Sequence, residues 1–69
     1  MNTYSEQIAR NAIREIERIS TIPRVAREAG IPEVTLRRRL ATGDFKVSEL
    51  EALSRALRVD ISELLPKAA

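Results

Sequence analysis

The sequence contains no cysteine and no histidine, and these two absences exclude several classes of protein. Without cysteine the chain forms no disulfide, no thiolate metal site and no cysteine nucleophile. Without histidine it lacks the most frequent general base and the most frequent zinc ligand. The remaining acidic residues have spacings typical of helix caps and surface ion pairs. We therefore expect no metal, no other cofactor and no enzymatic activity.

Glycine and long apolar segments are also scarce. The chain has only two glycines, Gly30 and Gly43, which excludes the glycine-rich phosphate cradles of nucleotide-binding folds. No apolar run reaches the roughly 18 residues of a membrane span, and no signal segment opens the chain. We therefore expect a cytoplasmic protein without a membrane partner.

The residues that are present suit one small helical domain with a basic centre. Hydrophobic residues make up 43% of the 69 positions and charged residues 32%, an ordinary balance for a globular domain. The net charge is only +2, but residues 21–46 contain six basic and three acidic side chains. A local surplus of this kind suits a polyanionic partner, and a solvated helix surface explains it equally well.

Caps and apolar spacings predict five short helices and no strand, so the expected fold class is all-α. The first helix is predicted over residues 4–19, after a capping-box pattern formed by Thr3 and Glu6. The second begins after Thr21, which can cap it, and ends at Gly30, which can adopt a left-handed conformation.

The other three helices follow from similar signals. The third is predicted over residues 32–41, with its proline at the start. A capping-box pattern at residues 48–51 opens the fourth, and a second pattern at residues 60–63 opens the fifth. Val59 and Leu64 have the spacing of a hydrophobic staple around that last helix. We expect the apolar stripes to bury three residues together, namely Ile16, Leu36 and Leu53.

The first helix carries charges of both signs and is expected to be a solvated, ion-paired surface. Its basic residues are Arg10, Arg14 and Arg18, and its acidic residues are Glu6, Glu15 and Glu17. Two arginines near the end of the chain, Arg55 and Arg58, are likewise expected to be solvated.

The turn between the second and third helices is the most informative segment. Ala26 lies four residues before Gly30, and Leu36 lies six residues after it. A small residue at Ala26 lets the next helix approach, and a glycine allows a positive φ in the turn. This spacing predicts two helices that cross tightly over a short turn.

This turn resembles the helix-turn-helix of the lambda-repressor-like, Cro-type family of phage and prokaryotic transcriptional regulators. The likeness continues through Thr-Leu-Arg-Arg-Arg-Leu at 35–40, Gly43, the segment 48–57 and the segment 59–65. It covers about residues 21–65, with the motif at about 21–41. The resemblance implies one compact five-helix DNA-binding domain over residues 1–69, in a prokaryotic or phage-infected host cell.

The sequence departs from the family pattern at three positions. The family usually has a phosphate-binding glutamine where this chain has Ile22, which leaves Thr21 or Arg24 for that contact. It tends to have glycine where this chain has Arg58, so we expect a modest conformational cost there. Arg39 stands where the family buries an apolar residue, and its methylene stem can cover the core while the guanidinium reaches outward.

The third helix has two distinct faces at about 100° per residue. Leu36 and Leu40 fall on one side and are predicted to face the core. The opposite side carries Val34, Arg37, Arg38 and Ala41. Arginine pairs bidentately with guanine and an apolar side chain meets the thymine methyl group. We therefore expect base contacts from Arg38 first, then Arg37, then Val34.

Glu33 has two interpretations, since it can pair with Arg37 one turn later or accept a hydrogen bond from a cytosine amino group. Backbone phosphates would be contacted by hydroxyl and basic side chains that flank the third helix. These candidates are Thr21, Arg24, Thr35, Arg39 and Lys46.

The expected function is sequence-specific binding of double-stranded DNA as a transcriptional regulator of the Cro or repressor type, with the third helix in the major groove. The alternative is a protein-interaction module that uses the same helical surface. A palindromic operator is normally read by a dimer. The apolar tail is short, namely Ile61, Leu64, Leu65, Ala68 and Ala69. We therefore expect a monomer or weak homodimer that pairs on DNA.

Overall fold

The computed structural model describes residues 3–67 and is built of helices joined by short turns. The α-helices are α1 (Thr3–Ile19), α2 (Ile22–Ala29), α3 (Glu33–Thr42) and α4 (Val47–Leu57), followed by one turn of 3-10 helix at Ile61–Glu63. The described residues form no strand, so the all-α class is confirmed. None of these helices is long and apolar enough to cross a membrane.

The predicted fifth helix is present only as one turn of 3-10 helix, so the described residues form four α-helices and this shorter, tighter element. The amides of Glu63 and Leu64 each donate to a carbonyl three residues earlier, at 2.9 Å, which is the 3-10 pattern. Asp60 caps this turn as predicted, since its Oδ1 accepts a hydrogen bond from the Ser62 amide at 2.9 Å. Pro66 follows closely and disfavours the helical conformation for Leu65, so the element does not continue past this turn.

The boundaries of α1 and α2 agree closely with the predictions. α1 is already helical at Thr3, the first described residue, and it ends at Ile19 as expected. The Thr21 hydroxyl caps α2 by accepting a hydrogen bond from the Arg24 amide at 3.4 Å. α2 ends before Gly30, which has a φ of 72°. That conformation costs a glycine little and stops the helix after eight residues.

α3 ends against the N-terminal part of α1. Its last residue is followed by Gly43, which is buried and has a φ of 79°. A Cβ atom at this position would overlap the backbone carbonyl of Ser5. The absence of a side chain at Gly43 therefore allows α1 and the end of α3 to touch through their backbones.

The capping box predicted at Ser48 and Glu51 is wrong, because α4 begins earlier, at Val47. The residue before the helix is Lys46, whose amide donates to Glu49 Oε1 at 2.9 Å. A lysine side chain has no acceptor to return this interaction, so only half of a capping box forms. Ser48 therefore lies inside the first turn rather than before it.

The core joins all four helices to the last turn of the chain. Ile16, Leu36 and Leu53 are each at most 1% exposed and lie in the same cluster, which confirms their predicted joint burial. Leu50 and Leu57, which lie on the same face of α4 as Leu53, are also buried. The whole cluster is Ile8, Ala12, Ile16, Val25, Ala26, Ile31, Leu36, Leu40, Leu50, Leu53, Leu57 and Leu64.

The chain after α4 adds to this core instead of presenting a free apolar patch. Leu64 is fully buried, so the expectation that it offers surface for assembly is wrong. Ile61 and Leu65 also pack against the core and are only partly exposed. The two terminal alanines named for assembly, Ala68 and Ala69, lie outside the described residues. Little apolar surface therefore remains in this segment as far as residue 67.

Candidate nucleic-acid interface

The turn between α2 and α3 has the geometry that its spacing predicts. The Ile31 amide donates to the Ala26 carbonyl at 2.9 Å, across the left-handed Gly30. Ala26 and Ile31 are both buried in the core. Because the small Ala26 side chain takes little room, α3 packs closely against α2. The turn and the core together fix the orientation of α3.

α3 separates a buried side from an exposed one, as predicted. Leu36 and Leu40 lie in the core, whereas Val34 is 74% exposed. The other residues predicted to face away from the core are also exposed. We call these residues the outward face of α3, which consists of Val34, Arg37, Arg38 and Ala41. This face therefore combines one large exposed apolar side chain with two exposed arginines.

Glu33 and Arg37 form the ion pair that one of the two interpretations predicted. The Nε and Nη2 atoms of Arg37 each lie 2.9 Å from Glu33 Oε2. Both side chains are about half exposed, so solvent screens the pair and it contributes little to stability. Arg37 therefore has a guanidinium that is held in position by its partner on α3.

Arg38 differs from its neighbour because its guanidinium is unengaged. Within residues 3–67 its side chain makes no hydrogen bond or ion pair, and only its backbone carbonyl is used, by the Thr42 hydroxyl at 3.3 Å. The side chain is exposed on the outward face of α3. All of its guanidinium donors are therefore available to an external acceptor.

Arg39 is tied to α4. Its Nε lies 3.0 Å from Glu49 Oε1, the oxygen that also accepts the Lys46 amide at 2.9 Å. The Arg39 side chain is only 21% exposed and Glu49 is more buried still. Burial raises the pKa of the Glu49 carboxyl, but the Lys46 amide and the Arg39 guanidinium outweigh it and leave the pKa below its usual value. This pair fixes the C-terminal half of α3 against the start of α4.

The start of α2 lies beside the outward face of α3. A shallow cavity of about 290 Å³ is lined by Ile22 from α2, by Arg37 and Ala41 from α3, and by Ile13 from α1. Thr21 directly precedes Ile22 and is exposed. The helix start that was predicted to meet a phosphate is therefore continuous with the predicted base-contacting surface.

The remaining candidates for backbone contact fall in two places. Thr35 is half-buried and lines a cavity of about 240 Å³ with Ser48 and Glu49, close to the exposed Lys46. Arg24 is exposed and lines a different cavity, with residues from the end of α4. The structure thus groups Thr35 and Lys46 at one flank of α3 and separates Arg24 from them.

Two residues of this region were missed by the sequence analysis. Val47 is 70% exposed at the first position of α4, next to Lys46. It was missed because α4 was predicted to start later, with a capping box at residues 48–51, so Val47 was expected to precede the helix. Glu49 was also missed as the partner of Arg39. Its position three residues after Lys46 was a usable signal, because a glutamate at that spacing accepts the cap amide.

No group of acidic side chains in residues 3–67 is arranged to hold a metal ion. Comparisons with protein-family models, with curated proteins and with solved structures found no match to this chain.

Proposed function

We propose that the chain is a sequence-specific double-stranded-DNA-binding transcriptional regulator, of the lambda-repressor-like Cro or repressor type, that inserts α3 into the major groove. The observation that carries this proposal is the outward face of α3. There the unengaged guanidinium of Arg38 lies beside the 74% exposed Val34, on a helix held by Leu36 and Leu40 in the core. An α-helix of this kind fits the major groove, whose width of about 12 Å admits one helix.

Arg38 is the primary base-contacting residue in this proposal. Its free donors suit the two acceptors of guanine, and Val34 suits a thymine methyl group. Arg37 and Glu33 act as a pair, since Arg37 must share or release its carboxylate partner before it can bind a base. If the pair is retained on DNA, Glu33 orients Arg37 and does not accept from cytosine.

Phosphate contacts on either side of α3 set its position in the groove. Thr21 stands at the start of α2 on one flank, and Thr35 and Lys46 stand near the start of α4 on the other. Arg39 is less available than Lys46, because Glu49 already binds its Nε. Its role is to hold α3 on α4, and it contributes charge to the second flank. Arg24 supplies a further contact only if the DNA extends past the start of α2.

The protein is proposed to be a monomer or weak dimer in solution that pairs on an operator with two-fold symmetry. The burial of Leu64 supports this, because it leaves a small apolar area in the last segment. A stable interface buries about 1,200 Å² or more, which this segment cannot supply. Two half-sites about 34 Å apart would hold two copies close together and raise their effective concentration.

Selection of bound fragments from a random duplex pool tests this function. We expect enrichment of one short motif, arranged as two inverted half-sites, and binding that weakens steeply with salt. Fragments that show no common motif, with binding that does not respond to salt, would contradict the proposal and favour a protein-interaction module.

A pair of alanine variants then separates the base-contacting role from the phosphate-contacting role. Arg38→Ala should cost about 1–3 kcal/mol of binding free energy on the selected site and relax the preference at one base pair. Lys46→Ala should weaken binding to all sequences alike and reduce the salt slope by about one. Equal losses on every sequence from both variants would remove Arg38 from base recognition.

A further inference from the structure

A second basic site lies where the α1–α2 turn meets the C-terminal end of α4. It is a cavity of about 380 Å³, and three arginines from two parts of the chain line it, namely Arg24, Arg55 and Arg58. Glu28 contributes the one acidic side chain, and Ser20 contributes a hydroxyl. No residue of α3 lines this cavity, so it is separate from the proposed base-contacting surface.

The three arginines of this cavity have no ionic partner, unlike several others in the molecule. Arg14 and Arg18 share Glu15, and Arg39 binds Glu49. Within residues 3–67 no hydrogen bond or ion pair engages the guanidinium of Arg24, Arg55 or Arg58, not even one to the neighbouring Glu28. The cavity therefore carries an uncompensated positive charge of about two, since three guanidinium groups face one carboxylate.

The backbone at Arg58 gives a second reason to assign a role to this cluster. Arg58 caps α4 with a φ of 59°, and it is the only non-glycine residue with a positive φ among residues 3–67. Glycine adopts this conformation at little cost, whereas a residue with a side chain is strained in it. An arginine at this position places a guanidinium at the rim of the cavity at the expense of stability.

Ser20 supplies a third observation. Its Oγ is shielded from water and has no hydrogen-bond partner within the described residues. A buried hydroxyl without a partner is unfavourable, and such groups are rare in folded proteins. Ser20 also lines the cavity of the three arginines, so an anion bound there is a candidate partner for this hydroxyl.

We propose that this cavity binds a phosphate group, held by the guanidinium groups of Arg24, Arg55 and Arg58 and by the Ser20 hydroxyl. Arginine forks match the oxygens of phosphate in charge and geometry. The volume is at the lower end of the range of about 300–1,000 Å³ for small-molecule sites, which suits a compact phosphate monoester. The Glu28 carboxylate would accept a hydrogen bond from a hydroxyl or amino group of the same ligand. This proposal does not depend on the function assigned to α3.

The phosphate has two possible sources, a free phosphate monoester or the backbone of a DNA duplex. Titration of the ¹⁵N-labelled full chain with inorganic phosphate, at constant ionic strength set with sodium chloride, addresses the first. We expect saturable shifts of the Ser20 amide and of the Nε–H signals of Arg55 and Arg58. A parallel titration uses a short duplex without the selected motif. Shifts at the same signals only with the duplex would assign the site to backbone phosphate.

Two variants and a matched control make the result specific. Arg55→Gln should weaken the binding that is observed about tenfold or more, since it removes a charge-assisted hydrogen bond. Arg27→Gln is the control, because Arg27 is an exposed arginine of α2 outside the cavity and its loss should change affinity less than about twofold. Ser20→Ala should raise the melting temperature without phosphate and reduce the further rise that phosphate produces.

The proposal is overturned if neither inorganic phosphate nor the duplex gives saturable shifts at these signals in the folded wild-type chain. It is also overturned if Arg27→Gln weakens binding as much as Arg55→Gln, because the effect would then reflect overall charge. Signals dispersed as in the wild type establish that each variant is folded.

Discussion

Arg14 and Arg18 on α1 differ from Arg38 on the outward face of α3 in the carboxylates around them. On α1, Glu15 is only 6% exposed and is the one charged residue buried within residues 3–67. Arg18 reaches it at 2.8 Å and Arg14 at 3.4 Å. On α3, Arg38 meets no carboxylate in the described part of the chain.

Arg14 and Asn11 of α1 also contact the last turn of the described chain. Arg14 donates to the Glu63 carbonyl at 3.5 Å and to Asn11 Oδ1 at 3.1 Å. Asn11 in turn donates to the carbonyls of Leu64 and Leu65 at 3.3 and 3.4 Å. These contacts fasten the last turn to α1, so the charges of α1 stabilise the fold. The comparison teaches that Arg38 is distinguished by unused donors together with an exposed apolar neighbour, because other exposed arginines such as Arg27 also lack a partner within residues 3–67.

The largest expected effect concerns the core beneath both regions. Leu53→Ala should lower the free energy of unfolding by about 2–5 kcal/mol, because it leaves a cavity at a fully buried site. Such a loss is a large share of the stability of a small domain, and both regions should fail together. Chemical denaturation measures it. A loss under about half a kcal/mol would show that α4 does not support both regions.

The second prediction sets Arg38 against Arg14. Arg38→Ala should leave the free energy of unfolding within about 0.5 kcal/mol of the wild type, because its side chain has no partner to lose. Arg14→Ala should lower the free energy of unfolding by up to about 1 kcal/mol, because the variant loses the contacts of Arg14 to Glu15 and to the last turn. For the affinity to the selected DNA we expect the opposite order, with the larger loss in Arg38→Ala and the smaller loss in Arg14→Ala. The comparison fails if Arg14→Ala weakens DNA binding more than Arg38→Ala while both variants remain folded.

The third prediction uses the acid sensitivity of Glu15. Hydrogen bonds from Arg18 lower its pKa, burial opposes this, and Arg14 adds to the lowering, so the pKa lies below the usual 4.5. A depressed pKa adds stability that is complete above the unfolded value and is lost as the pH falls through the folded value.

Replacement of this carboxylate therefore reduces the dependence of stability on pH. Glu15→Gln should cost about 1 kcal/mol at neutral pH, and this cost should shrink as the pH falls through the folded pKa of Glu15. Urea denaturation of both proteins from about pH 7 to pH 3 measures the difference, and Glu49 is present in both as an internal control. An equal difference at every pH would show that the ionised carboxylate is not what Arg14 and Arg18 stabilise.

The smallest expected effect concerns Arg58, an arginine that belongs to neither region. Arg58→Gly should raise the free energy of unfolding by about 0.5–1 kcal/mol, since glycine adopts its positive φ without strain. Thermal or chemical denaturation at low phosphate measures the gain. A destabilised variant would indicate that the Arg58 side chain makes a net stabilising contribution at the end of α4.

The features that depend on local sequence were predicted well. The limits of α2 follow from Thr21 and Gly30, and the two sides of α3 follow from its helical period. The Glu33–Arg37 pair follows from a four-residue spacing on one helix. Even the conformation of Arg58 was expected from the family resemblance. In each case the residues that determine the feature are close together in the sequence, so a local sequence pattern is enough to predict it.

The features that depend on packing between distant segments were not predicted. Glu49 binds Arg39 from ten residues away, a contact that no local capping rule predicts. Leu64 is buried because the last turn folds onto the core. From the sequence alone, Leu64 was predicted to offer apolar surface for assembly. The cavity around Arg55 joins parts of the chain more than thirty residues apart. Such contacts exist only once the helices have assembled.

The affinity of the wild-type chain for its selected duplex, relative to a shuffled duplex of the same composition at the same salt concentration, tests the central claim most directly. Free donors on Arg38 beside an exposed Val34 predict direct reading of bases, so the selected duplex should bind about a thousandfold more tightly or better. A ratio near one, with strong binding to both duplexes, would contradict the account. It would show that the outward face of α3 meets only phosphates.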